Sequence, residues 1–143
     1  VDREQAASIN AAIRTIGMRH RTLTGAKLAE IGLSLGQETL LTELFEQGPR
    51  TQAQLSAAAC CEPPTITSAV KKLEANGLVT RTPSSSDRRA MIVELTPAGA
   101  AVVADLERLW QDLASETVAG LEHTELQDLT ATLTDLANSL RRT

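Results

Sequence analysis

Arg88 and Arg89 stand side by side in "PSSSDRRAMIVELTPAG", directly behind Asp87 and a run of three serines ending at Ser86. Neighbouring guanidinium groups do one kind of chemistry well. Each presents a planar fork of N–H donors that holds an oxyanion through charge-assisted hydrogen bonds. An acid beside them can pair with one guanidinium and fix its direction, while Pro83 to Ser86 read as a flexible loop tip. A second concentration of cation is Lys71-Lys72 in "EPPTITSAVKKLE". There Ile66, Ala69, Val70 and Leu73 recur at helical spacing, which leaves Thr65, Thr67, Ser68, Lys71 and Lys72 on the opposite face. Small hydroxyls and ammonium groups on one face again suit an anion.

Other reactive side chains are few. Cys60 and Cys61 are adjacent and have no further cysteine to pair with. Neighbours seldom bridge each other, because the ring strains the peptide between them, so they read as packed residues of a turn or as an oxidisable pair. His20 lies between Arg19 and Arg21 in "GMRHR" and alone of the three continues an apolar seam. As the side-chain type that titrates near neutrality, it is a candidate to bind an anion or sense pH. His20, His123 and the cysteines are scattered, without metal-ligand spacing. No nucleophile–base arrangement, phosphate-binding glycine loop or paired carboxylates stand out, so neither an enzyme nor a cofactor is expected.

The elements that must position these groups are helical. The chain has 143 residues, the length of one domain. With one Phe, one Trp and no Tyr, its core must be Leu, Val, Ile and Ala. A net charge of -4 hides a division: residues 50–90 carry six basic and three acidic side chains, whereas residues 91–143 carry three and nine. A positive segment between acidic flanks marks a local anion-binding surface. No run approaches the ~18 apolar residues of a membrane span, and a cytoplasmic location without membrane contact is expected.

Apolar residues recur in heptad form at both ends, as Ile9, Ile13, Ile16, His20 and Leu23, and as Leu126, Leu129, Leu133, Leu136 and Leu140. Val102 or Val103, Leu106, Leu109 and Leu113 continue the pattern on a helix opened by Thr96-Pro97. Three such stripes exceed what one small bundle needs, which predicts dimerisation through the terminal helices. In the middle, Ser34-x-x-Gln37 and Thr51-x-x-Gln54 match capping boxes, as does Thr124-x-x-Gln127 before the last helix. Helices are predicted at about 35–47, 51–59 and 63–76 and strands at about 78–82 and 90–95. Two short helices and a hairpin make a winged helix-turn-helix whose second helix would enter a DNA major groove. The arginines at the hairpin tip would then reach the narrow minor groove.

The ordered set Leu-Ser-x-x-Gln, Thr-x-x-x-Leu, Leu-Glu-x-x-Gly-Leu-Val-x-Arg, Asp-x-Arg and Leu-Thr-x-x-Gly runs collinearly over residues 32–99. In this the chain resembles the multiple antibiotic resistance regulator (MarR) family. The resemblance implies a mainly α fold of about six helices with a two- to three-stranded wing. It divides one domain, residues 1–143, into dimerisation segments at 1–32 and 97–143 and a DNA-binding lobe at 33–96. It also implies an obligate homodimer on a pseudopalindromic operator of double-stranded DNA, usually as a repressor.

Carried over, Asp87 and Arg89 match the family's wing pair and Arg88 its variable position. Pro64, Thr65, Thr67, Ser68 and Lys72 fall where the recognition helix faces DNA, with Lys71, Arg81 and Ser86 as further expected contacts. Many relatives have an arginine at the position of Ser68, so base preference does not transfer. Relatives bind small phenolic or other anionic effectors beside the dimerisation helices, and Ile16, His20, Leu44 and Trp110 are the expected lining here. Two alternatives stay open: a sensor of thiol oxidation through Cys60 and Cys61, and a winged helix that binds protein instead of DNA.

Overall fold

A computed structural model of the chain describes residues 1–141; residues 142–143, the end of the expected dimerisation segment, lie outside the described residues. The helices are α1 (Arg3–Glu30), α2 (Gln37–Gln47), α3 (Gln52–Ala59), α4 (Pro63–Ala75), α5 (Pro97–Val118) and α6 (Leu126–Leu140). The strands are β1 (Arg50–Thr51), β2 (Val79–Pro83) and β3 (Met91–Leu95). The chain forms two compact units, residues 1–113 and 114–143, with the division inside α5. Among the described residues no helix is long and apolar enough to cross a membrane.

Each sequence motif has a local physical role. Thr51 caps α3 in a reciprocal box: its hydroxyl takes the Gln54 N–H at 3.1 Å while the Gln54 amide takes the Thr51 N–H at 2.9 Å. That leaves Leu55 fully buried one turn on. The Gly77 turn ends α4 with a positive φ of 74°, and the Leu78 N–H reaches back to the Leu73 carbonyl at 3.0 Å. Thr96 caps α5 by accepting the Gly99 N–H at 3.1 Å. Its own N–H binds the Leu78 carbonyl at 3.0 Å and its hydroxyl binds the Gly77 carbonyl at 2.6 Å. One threonine thus joins the start of α5 to the end of α4.

Two of the expected capping boxes are corrected. Gln37 accepts the Ser34 N–H at 2.9 Å, but α2 starts only at Gln37, behind a left-handed Gly36 that makes no side-chain cap. Helix α6 starts at Leu126 with Glu125 as an uncapped N-cap, so Thr124 does not serve. A further box, through Asp2 and Gln5, caps α1.

The sheet is antiparallel in the order β1-β3-β2, with Arg50 opposite Val93 and Thr82 opposite Ile92. The two-residue β1 escapes sequence reading because it is too short for any alternation. Within the first unit the core gathers Leu28, Leu40, Leu41, Leu55, Ile66, Val70, Leu73, Val79, Val93 and Leu106. Burying each such side chain contributes about 1.5–3 kcal/mol. In α5 the expected Val103, Leu106, Leu109 and Leu113 are buried. The other two stripes differ. Ile9, Ile13 and Ile16 of α1 remain 48, 45 and 56% exposed, and α6, taken by itself, has no buried residue.

Candidate nucleic-acid interface

Helix α4 separates two faces. Ile66, Val70 and Leu73 are buried, while Pro64, Thr65, Ser68, Lys71 and Lys72 are exposed. Pro63 and Pro64 occupy the first turn, where a missing N–H costs no helical bond. Thr67 departs from the expected outward set. It is half-buried, its hydroxyl donates to the Pro63 carbonyl at 3.0 Å, and it accepts the Gln52 Nε2 at 3.2 Å. Thr67 therefore fastens the recognition helix to α3.

Hydrogen bonds run along the wing and into its tip. Pro83 belongs to β2, and the Ser84 N–H bonds the Ala90 carbonyl at 2.8 Å. The buried Ser84 hydroxyl meets the Ser86 hydroxyl at 3.0 Å and accepts the Ser86 and Asp87 N–H groups at 3.3 and 3.4 Å. Asp87 is corrected: its Oδ1 accepts the backbone N–H of Arg89 at 3.0 Å instead of holding a guanidinium. The carboxylate thus shapes the turn from which the exposed Arg88 and Arg89 side chains leave.

Arg81 is not one of the outward cations. Its Nε and Nη2 donate to the same Glu74 carboxylate oxygen at 3.2 and 3.1 Å, tying β2 to α4. The Arg81 hydrogen bond holds the Glu74 carboxyl below its ordinary range. Arg50 is likewise engaged, with Gln47 at 3.1 Å and Glu43 at 3.7 Å. The cations left exposed in the positive segment are Lys71, Lys72, Arg88 and Arg89.

Two concavities open beside these groups. One of about 400 Å³ is lined by Gln37, Pro64, Thr65, Ser68, Ala69 and Lys72. Another of about 320 Å³ joins Thr51, Gln52 and Ala53, at the start of α3, to Asp87, Arg89, Ala90 and Met91 of the wing. Sequence reading missed the start of α3 as part of this surface. The capping box at Thr51 is the signal that could have found it, since helix N-termini favour anions.

The expected effector residues differ in burial. Leu44 is 3% exposed and belongs to the core of the first unit, because α2 turns that face inward. Ile16, His20 and Trp110 are exposed. A separate concavity of about 270 Å³ lies between α1 and α5, lined by Lys27, Glu30, Ile31, Asp105, Arg108, Leu109 and Asp112, none of them an expected residue. Among the described residues no group of three or more His, Cys, Asp or Glu could hold a metal ion.

A helix, a tight turn, a second helix with a cationic and hydroxyl-bearing face, and an antiparallel wing carrying arginines define a winged helix-turn-helix of the DNA-binding, transcription-regulating class. Residues 33–91 match the MarR family, and the chain is 31% identical over 108 residues to an HTH-type transcriptional regulator of Mycobacterium tuberculosis, covering 76% of this chain and 75% of that one. The chain belongs to the MarR family. It is also 35% identical over 91 residues to the HTH-type transcriptional repressor NicR of Pseudomonas putida. That stretch is 64% of this chain and 58% of NicR, so the match spans less than two thirds of the repressor. Bordetella bronchiseptica BpsR, whose DNA binding is regulated by 6-hydroxynicotinic acid, has the same fold. Its TM-score is 0.73 at 22% identity, over 91% of this chain and 98% of that one.

Proposed function

We propose that this regulator works as a homodimer on a pseudopalindromic operator, as a repressor released by a small anionic effector. The observation that carries the reading is the sorting of cations. Arg50 and Arg81 are held by acids of the chain, whereas Lys71, Lys72, Arg88 and Arg89 stay exposed beside Thr65 and Ser68. Charges left unpaired on one recognition helix and one wing match a duplex, with the helix in the major groove and arginine toward the minor groove. The exposed apolar stripes of α1 and of α6 support the dimer, since such faces seek a partner.

Selection of bound sequences from a random duplex pool tests this reading. The expected product is a two-fold-related site with half-site centres about 34–36 Å apart. A monomer in solution, or binding that loses no affinity between 50 and 200 mM salt, refutes it. The effector part draws on BpsR, where an aromatic acid regulates DNA binding. In this chain Ile16, His20 and Trp110 are the accessible members of the expected lining. Titration of the operator complex with aromatic carboxylates should release DNA from wild type and not from His20→Ala; equal release from both removes His20 from the effector site.

A further inference from the structure

We propose that Cys60 and Cys61 together form a two-thiol site for a trivalent arsenic species, and that filling it weakens DNA binding through the turn between α3 and α4. Both thiols are exposed and unbridged. They occupy the short connection between the last residue of α3, Ala59, and the first of α4, Pro63. Both sulfurs turn back over the same end of α3: the Cys60 thiol faces the Ala57 carbonyl at 3.8 Å and the Cys61 thiol the Ala59 carbonyl at 3.3 Å. Thiols are weak donors, so a ligand displaces these contacts at little cost.

The backbone around them is held. The Cys61 N–H binds the Ser56 carbonyl at 3.2 Å, and the Cys61 carbonyl accepts the Ser56 hydroxyl at 2.5 Å. Cys60 has a φ of 52° and is the one non-glycine residue with positive φ among the described residues. Its counterparts in that region are Gly32, Gly36, Gly48 and Gly77. A cysteine thus sits at a helix end where the chain elsewhere uses glycine, and strain of this kind is kept where the side chain has a use.

Ligand chemistry selects the occupant. A disulfide between adjacent residues strains the peptide that joins them. Structural zinc needs four ligands, and no cluster of even three ligating side chains lies among the described residues. Trivalent arsenic needs three, and water supplies the third as hydroxide. Inserting the arsenic atom between the sulfurs also enlarges the ring and relieves its strain.

The step is a condensation. Each thiol forms one S–As bond to arsenous acid, one As–OH bond breaks, and the thiol proton leaves with that hydroxyl as water. Two waters are released, the third hydroxyl stays on arsenic, and no electrons are transferred, so no oxidant is required. Tying both sulfurs to one atom draws them off the Ala57 and Ala59 carbonyls, and the coupling runs from there through the adjacent Glu62. The Glu62 carbonyl accepts the Thr65 and Ile66 N–H groups that start α4. The effect on DNA rests on the operator-binding reading above; chelation itself does not.

The reduced 143-residue chain is treated with phenylarsine oxide and followed by intact mass and titration of free thiols. One adduct should form with loss of both thiols, resist excess 2-mercaptoethanol, and yield to 2,3-dimercaptopropanol. Cys60→Ser and Cys61→Ser, both at exposed positions, should each lose that resistance. Stripping of the wild-type adduct by the monothiol, or its retention in a single-serine variant, overturns the site. Arsenite should then lower the wild-type affinity for a selected duplex by about tenfold and leave Cys60→Ser/Cys61→Ser unchanged. A chelated protein that keeps its duplex affinity refutes the coupling. A chain that binds no duplex before arsenite is added refutes the operator-binding reading and leaves the chelation result standing.

Discussion

Replacing Gly99 with alanine tests how α5 is joined to the winged lobe. A Cβ at Gly99 would lie 2.2 Å from the Leu78 carbonyl oxygen and 2.8 Å from Leu95 Cδ1. Tolerated carbon–oxygen contacts lie at about 3.3 Å or more, so the start of α5 must back away by roughly 1 Å. The obstacle is backbone and cannot swing aside. The same carbonyl accepts the Thr96 N–H, and the neighbouring Gly77 carbonyl accepts the Thr96 hydroxyl, so the retreat loosens both bonds. Overpacking costs about 1–3 kcal/mol, and each weakened hydrogen bond adds up to about 1 kcal/mol. A loss of about 3 kcal/mol, the middle of the resulting range of about 1–5 kcal/mol, is a large share of the ~5–15 kcal/mol that holds a domain folded. At about 2–4 °C per kcal/mol the Tm should fall by roughly 10 °C. Urea unfolding followed by far-UV circular dichroism, at fixed protein concentration, measures the free-energy loss, and a thermal melt of the same sample measures the Tm. Gly17→Ala is the control, since a Cβ there meets nothing within 4 Å; removing a helical glycine should stabilise by about 0.5–1 kcal/mol. Gly99→Ala within about 1 kcal/mol of wild type, or Gly17→Ala as damaging as Gly99→Ala, refutes the reasoning.

Arg89→Ala should weaken binding to operator and unrelated duplexes alike and lower the slope of log K against log salt by about 0.9; an unchanged slope means that Arg89 touches no phosphate. Ser68→Ala, at an exposed position, should change base preference by about 1–3 kcal/mol at one operator position. Thr67→Ala instead removes the bond to Gln52 and should cost about 1 kcal/mol of folding stability with base preference kept, which urea unfolding and competition binding distinguish. Arg81 lowers the Glu74 pKa from its ordinary 4.5. The pair's contribution to stability is therefore full above that value and lost as pH falls through the lowered one. The stability difference between wild type and Glu74→Gln should accordingly shrink in acid, and a difference that is flat with pH would show the pair to be without effect.

The capping and turn motifs were legible because each records a local backbone requirement. Gly77 supplies a left-handed turn, Thr51 and Thr96 satisfy orphan N–H groups, and Leu55 and Leu73 fall one turn from their caps on buried faces. The face of α4 followed from its period for the same reason. The half-burial of Thr67 was not legible, because its hydrogen bond from Gln52 depends on how α3 meets α4 and not on spacing along α4. Arg81 and Glu74 meet across seven residues only once β2 folds back beside α4.

The chain's own letters determined a net-positive middle and the order of elements outright, and helical periods and turn positions because these arise from contacts within a turn or two of the backbone. Tertiary structure alone decided which cations stay free. Arg50, Arg81, Lys71 and Arg88 carry the same charge on paper, and only three-dimensional proximity to Glu43 or Glu74 removes the first two from the surface available to a polyanion. It also withdrew Leu44 into the core and left the isoleucines of α1 outside, because burial is a property of the whole packing and not of any one segment.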